Sequence, residues 1–127
     1  MNRAMLISLV GVLAAVSLAA RPDPFRGTWK MEAVPEGAGK AFKDTLTFKG
    51  QTFVATDLMK KGWKVEAYED DTRGLTTAQF TATLKSPTEG EMKWTGSITA
   101  GEMRGTIIWK KKDGTEETYS YTASRAN

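Results

Sequence analysis

No cysteine and no histidine occur in the 127-residue chain. The first absence removes disulfides and thiolate nucleophiles. The second removes the commonest general base and the commonest transition-metal ligand. Ser120 and Ser124 therefore have no imidazole to activate them, and a Ser-His-Asp triad is excluded. Charge of one sign is in slight excess only: 18 Lys and Arg against 15 Asp and Glu give +3. Such a balance does not call for nucleic acid as a partner. The glycines sit at turn positions, and none forms the phosphate-cradling loop between a strand and a helix. An enzyme is not expected from this inventory, nor is a cofactor or a metal.

Long apolar runs are missing as well, with one exception. Met1-Asn2-Arg3 precede a run from Ala4 to Val16 broken only by Ser8 and Gly11, and Ser17-Leu18-Ala19-Ala20 follow. A basic start, a short apolar stretch and small residues where a peptidase cuts read as a secretory signal peptide. The run is shorter than the roughly 20 residues of a spanning helix. Residues 1–20 are expected to be removed after Ala19 or Ala20, with 21–127 as one domain. That places the mature protein in the periplasm or outside the cell, with no stable membrane insertion.

What the chain does have is alternation of period two, the signature of strands with one buried face. After an extended Arg21-Pro22-Asp23-Pro24 leader, Trp29, Met31 and Ala33 share a face. Leu46 with Phe48, Phe53 with Ala55, and Trp63, Val65 with Ala67 give three more faces. Glu69 to Gly74 reads as a polar loop, and then Ala78, Phe80, Ala82 and Leu84 alternate with polar residues. Met92, Trp94, Gly96 and Ile98 form the sixth face, Met103, Gly105, Ile107 and Trp109 the seventh, and Tyr119, Tyr121 and Ala123 the last. Asp113-Gly114 is a hairpin signal. Gly37 to Phe42 has room for a single helical turn.

The stretch GEMKWTGSITAGEMRGTIIW, residues 90–109, repeats Gly-Glu-Met at Gly90 and Gly101. We read it as two antiparallel strands entered from glycine turns, with Met92, Trp94, Ile98, Met103, Ile107 and Trp109 inside. Gly96 and Gly105 are expected to relieve crowding at a bend, as strand-interior glycines do at barrel corners. Eight short, evenly spaced strands point to an all-β fold, an eight-stranded up-and-down antiparallel barrel that leaves no strand edge open. A two-sheet sandwich is the alternative. A membrane-spanning barrel would turn the apolar faces outward, but their Gly and Ala content suits a crowded interior.

Gly27-Thr28-Trp29 ahead of the first strand resembles the Gly-x-Trp opening of the lipocalin and fatty-acid-binding-protein group. The alternation resembles the same group over about the whole of 21–127, and is also similar to small secreted bacterial proteins with lipocalin-like barrels. The resemblance implies that Trp29 plugs one barrel end and that a basic residue after the last strand, here Arg125, packs across it. The Thr-Asp-Tyr loop motif of lipocalins and an Arg-x-Tyr carboxylate clamp are both missing, which leaves the ligand class open.

Trp29, Trp63, Phe80, Trp94, Trp109, Tyr119 and Tyr121 all fall on predicted inner faces. They are the candidate ligand-binding residues. The competing reading is that they fill the core, because an eight-stranded barrel is only just wide enough for side chains or one small ligand. An interior space of roughly 300 Å³ or more favours a ligand, and a filled core favours contacts through the loops. The expected function is a secreted or periplasmic binding protein holding a small apolar molecule in the barrel or at its mouth. The alternative is a solid barrel whose loops engage a protein or an envelope polymer. Glu66, Glu69, Asp70 and Asp71 lack the alternating oxygen-ligand spacing of a calcium loop. Lys60, Lys61, Lys64 and Lys110 to Lys112 are read as solvated charges rather than as a lipid or polysaccharide contact.

Overall fold

A computed structural model describes residues 23–73 and 77–126. The signal-peptide reading of residues 1–20 lies outside the described residues. Each alternating segment becomes a strand: β1 Gly27–Pro35, β2 Phe42–Lys49, β3 Thr52–Ala55, β4 Lys64–Asp71, β5 Thr77–Ser86, β6 Gly90–Thr99, β7 Glu102–Lys110 and β8 Glu116–Arg125. All pairs are antiparallel and the order is β3-β2-β1-β8-β7-β6-β5-β4. The first strand pairs the last, with Trp29 opposite Arg125 and Pro35 opposite Tyr119. The meander therefore closes between β1 and β8.

Closure is not complete. β3 and β4 end the sheet and share no ladder, so two edges stay open. This corrects the expectation of an edgeless barrel. β3 is four residues long, and β4 carries a bulge between Val65 and Ala67, both devices that blunt an edge. Tyr68 stacks on Phe53 across the gap, with centroids 6.2 Å apart and planes at 22°. β4 also runs on through Glu69, Asp70 and Asp71, which the sequence reading placed in a loop.

The helical turn expected between Gly37 and Phe42 is not there; that segment forms bends. The short helix α1 lies instead at Thr56–Lys60, between β3 and β4. Its N-cap position holds Ala55, which offers no capping oxygen. Asp44 of β2 supplies the acceptors: Oδ1 takes the Asp57 N–H at 2.8 Å and Oδ2 the Leu58 N–H at 3.1 Å. The orphan donors of a helix start are thus met by a carboxylate remote in sequence, a device that local periodicity does not reveal.

The apolar faces turn inward and most Lys, Thr and Glu outward, the reverse of a lipid-facing barrel; Ala67, expected inside with Trp63 and Val65, is the exception, turned outward by the bulge after Val65. One end is sealed. Trp29 is 0% exposed, its Nε1–H donates to the Phe25 carbonyl at 2.9 Å, and the Arg125 guanidinium lies 4.3 Å from its ring centroid. Arg125 also donates to the Arg26 and Pro24 carbonyls at 2.7 and 2.5 Å, which clamps the leader to β8. Phe25, which the sequence reading passed over, is fully buried against Phe48 and Phe80.

The repeated stretch is β6, a turn and β7. Ala100 and Gly101 both have positive φ, 54° and 80°, as a type I′ hairpin turn requires. Gly96 faces Gly105 across the ladder. A Cβ on Gly105 would lie 1.9 Å from the Thr95 carbonyl oxygen, and one on Gly96 2.3 Å from the Phe80 ring. The glycine pair makes room for Phe80 and for the Tyr121 hydroxyl, which donates to the Thr95 carbonyl at 2.8 Å. Of the six residues expected inside, Met92, Trp94, Ile98, Met103 and Ile107 are buried. Trp109 is only half-buried, because it stands at the open end of β7.

Candidate functional site

The seven candidate residues separate into three places. Trp29 belongs to the sealed end. Phe80, Trp94 and Tyr121 sit in the middle of the barrel. There, Phe48 and Phe80 are 5.1 Å apart, Phe53 and Trp94 5.4 Å, and Trp94 and Tyr121 5.4 Å. With Phe25 and Tyr68 this is a continuous aromatic core, packed at ordinary ring spacings. Burial raises the Tyr121 hydroxyl pKa far above its usual value, consistent with its being locked in as a neutral donor. Trp94 Nε1 is buried with no hydrogen-bond partner, and its indole meets the Phe53 ring at 61°.

Trp63, Trp109 and Tyr119 come together at the other end, opposite the Trp29 plug. They line a cleft of about 1050 Å³ with Phe42, Leu58 and Met92. Topology explains the gathering. The last inward residues of β7 and the first of β2, β6 and β8 all point to this end, and Trp63 immediately precedes β4. Trp63 and Trp109 meet edge to face at 6.0 Å, and Phe42 and Tyr119 at 5.2 Å. Trp109 Nε1–H donates to the Glu89 carbonyl at 2.8 Å, which fixes the ring at the rim.

Two carboxylates withdrawn from solvent line this cleft, and the sequence reading named neither. Asp44 is buried and accepts three backbone N–H groups, those of Thr45, Asp57 and Leu58. Burial pushes its pKa up, and those N–H bonds oppose the rise. Glu117 is half-buried; it receives Lys111 Nζ at 2.5 Å on one oxygen and the Tyr119 hydroxyl on the other. Lys111 and Tyr119 hold its pKa below the ordinary value. Tyr119 in turn is pushed up to about 12, by burial first and then by the Glu117 carboxylate. Lys111 lies 4.7 Å from the Trp109 ring centroid, so one ammonium bridges an indole face and a carboxylate. Both acids had a signal in the sequence: Asp44 is in phase with Phe42, Leu46 and Phe48, and Glu117 with Tyr119 and Tyr121. An acid on an inward phase is the exception worth following.

The remaining charged clusters are more ordinary. Lys64, Lys85 and Lys110 to Lys112 line a neighbouring cleft of about 710 Å³, where Glu66 and Glu91 neutralise Lys85 at 3.0 and 3.6 Å. On β4, Asp71 pairs with Arg73 at 3.1 Å and Asp70 accepts the Tyr68 hydroxyl at 3.0 Å. No group of three or more metal-capable side chains converges among the described residues. Compared with known proteins, the chain matches no family model, no curated sequence and no solved structure.

Proposed function

We propose that the protein is a binding module that takes a small molecule with an apolar body at the open mouth of the barrel. The observation that carries this reading is the cleft of about 1050 Å³, whose lining joins Phe42, Leu58, Trp63, Met92, Trp109 and Tyr119 to charged side chains of both signs. Mostly apolar concave sites with a few placed polar groups are where small ligands are held. The filled middle of the barrel counts against a ligand held inside it and favours the loop-contact alternative, so the binding reading rests on the mouth alone. The nearly closed antiparallel barrel is compatible with a lipocalin-like fold, and the reading places the mature protein in the periplasm or outside the cell.

A saturable titration with the neutral fluorophore 1-naphthol tests the reading. Binding is expected in the wild type and in Phe80→Leu, and is lost in Trp109→Ala. Equal binding by Trp109→Ala would overturn it. A second reading, contact of the loops with a protein or an envelope polymer, draws on the filled core and on Lys64, Lys110 and Lys112 at one side of the mouth. It predicts no saturable 1-naphthol site and retention on an anionic polysaccharide matrix that Lys110→Glu with Lys112→Glu abolishes.

A further inference from the structure

The mouth holds a clue to the charge of its ligand. Four aromatic rings, Phe42, Trp63, Trp109 and Tyr119, line it; Trp63 and Tyr119 are buried, Phe42 and Trp109 are half-buried, and an aromatic face attracts a cation. Of the charged groups that line it, Asp44 and Glu117 are the two withdrawn from solvent, and both are carboxylates. The others, Lys40, Lys43, Lys60, Lys61, Asp57 and Glu89, are exposed at the rim. Lys43 leans away to Glu32 at 3.6 Å. Rim charges of mixed sign in water are screened and act mainly on approach, whereas inner groups act on whatever is seated.

The chain also shows an occupant of the right kind. The Lys111 ammonium sits between the Trp109 face at 4.7 Å and the Glu117 carboxylate at 2.5 Å. Glu117 is braced from its other oxygen by Tyr119, so the seat stays built when the lysine leaves. Lys111 reaches it from the β7–β8 turn, where it lines the neighbouring cleft, and swinging into solvent costs it one partly exposed pair and its contact with the Trp109 ring. Asp44, farther along the same cleft, has no cationic side chain paired with it among the described residues.

We infer that the mouth selects a ligand with an alkyl- or arylammonium group, which displaces Lys111 and sits against Trp109 and Glu117 while its apolar body lies along Trp63 and Phe42. This rests on the reading of the mouth as the binding site and adds the charge of the ligand to it. The Trp109 face and the Glu117 carboxylate attract a cation and repel a carboxylate ligand, and a neutral ligand gains only the apolar part.

The test uses three probes of equal length, hexylammonium, hexanol and hexanoate, each followed by the shift of the Trp109 indole N–H signal. In the wild type the expected order of affinity is hexylammonium, then hexanol, then hexanoate. Lys111→Met removes the internal competitor, and hexylammonium affinity should rise about tenfold, the size of one cation–π and carboxylate contact, with hexanol unchanged. Adding Glu117→Gln to Lys111→Met should abolish that gain. Lys111→Ala serves if the methionine fills the seat. Hexanol binding at Trp109 as tightly as hexylammonium in the Lys111 variants would overturn the ligand class and leave the mouth reading standing. If no probe moves the Trp109 signal, the mouth reading falls and the inference with it.

Discussion

The two ends of the barrel are built from the same parts and are finished differently. At each, a tryptophan donates its indole N–H to a backbone carbonyl, Trp29 to Phe25 at 2.9 Å and Trp109 to Glu89 at 2.8 Å. At each, a cation lies over the ring, Arg125 at 4.3 Å and Lys111 at 4.7 Å. The difference lies in what the cation holds. Arg125 spends its fork on two backbone carbonyls and ties the leader across the end, so Trp29 is sealed. Lys111 holds a single side chain, Glu117, and leaves Trp109 half-open. A planar guanidinium with several fixed donors locks backbone, while an ammonium on a flexible stem makes an exchangeable contact. The same motif thus seals one end and leaves the other open, where the proposed site lies.

The largest effect should come from breaking the sealed end. Trp29→Ala is expected to lower the unfolding free energy by about 3–5 kcal/mol, read from urea denaturation, as for other buried aromatics. A loss under about 1 kcal/mol would mean that the plug carries no more than an exposed ring does. Next comes the glycine pair. Gly105→Ala drives a methyl group onto the Thr95 carbonyl, and a cost of about 1–3 kcal/mol or more is expected in the same assay. Arg125→Ala should cost about 0.5–2 kcal/mol, well below Trp29→Ala. Trp109→Ala is the smallest, at about 1 kcal/mol or less, because the ring is half-exposed. If Trp109→Ala destabilised as much as Trp29→Ala, the mouth would be a second plug and the contrast would collapse.

The contrast between core and mouth was partly legible in the residues. Seven strands follow from period-two alternation, whereas the bulge after Val65 breaks it in β4, and the plug pair Trp29 and Arg125 was implied by the resemblance of Gly27-Thr28-Trp29 to the lipocalin group. Alternation assigns a face, however, and not a height along the barrel. Phe80 and Trp94 share the inward phase with Trp63 and Tyr119, yet the former fill the middle and the latter line the mouth. Height is set by strand register, which depends on pairings between distant residues. The α1 helix escaped notice for a related reason: its capping acid, Asp44, is on another strand. The Glu117–Lys111 pair spans a turn, and only the folded hairpin brings it onto Trp109.

Alkaline pH sharpens the same contrast. The hydroxyls of Tyr68, Tyr119 and Tyr121 all have raised pKa values, each chiefly through burial, and Tyr119 reaches about 12 from 10.0. A tyrosine that is harder to ionise when folded contributes stability that is whole below its unfolded pKa and is lost as pH rises through the folded one. Stability should therefore decline above pH about 10. Tyrosinate absorbance at 295 nm should appear together with unfolding, and a normal titration of all three in the folded protein would contradict their packing.

The central claim is that small molecules meet the mouth and never the filled middle. It is tested most directly by the four indole N–H resonances of an isotopically labelled sample titrated with hexanol. The signals of Trp63 and Trp109 should move together and saturate, while those of Trp29 and Trp94 stay in place. Movement of the Trp94 signal, the indole buried in the core without a hydrogen-bond partner, would put the ligand inside the barrel and contradict the account.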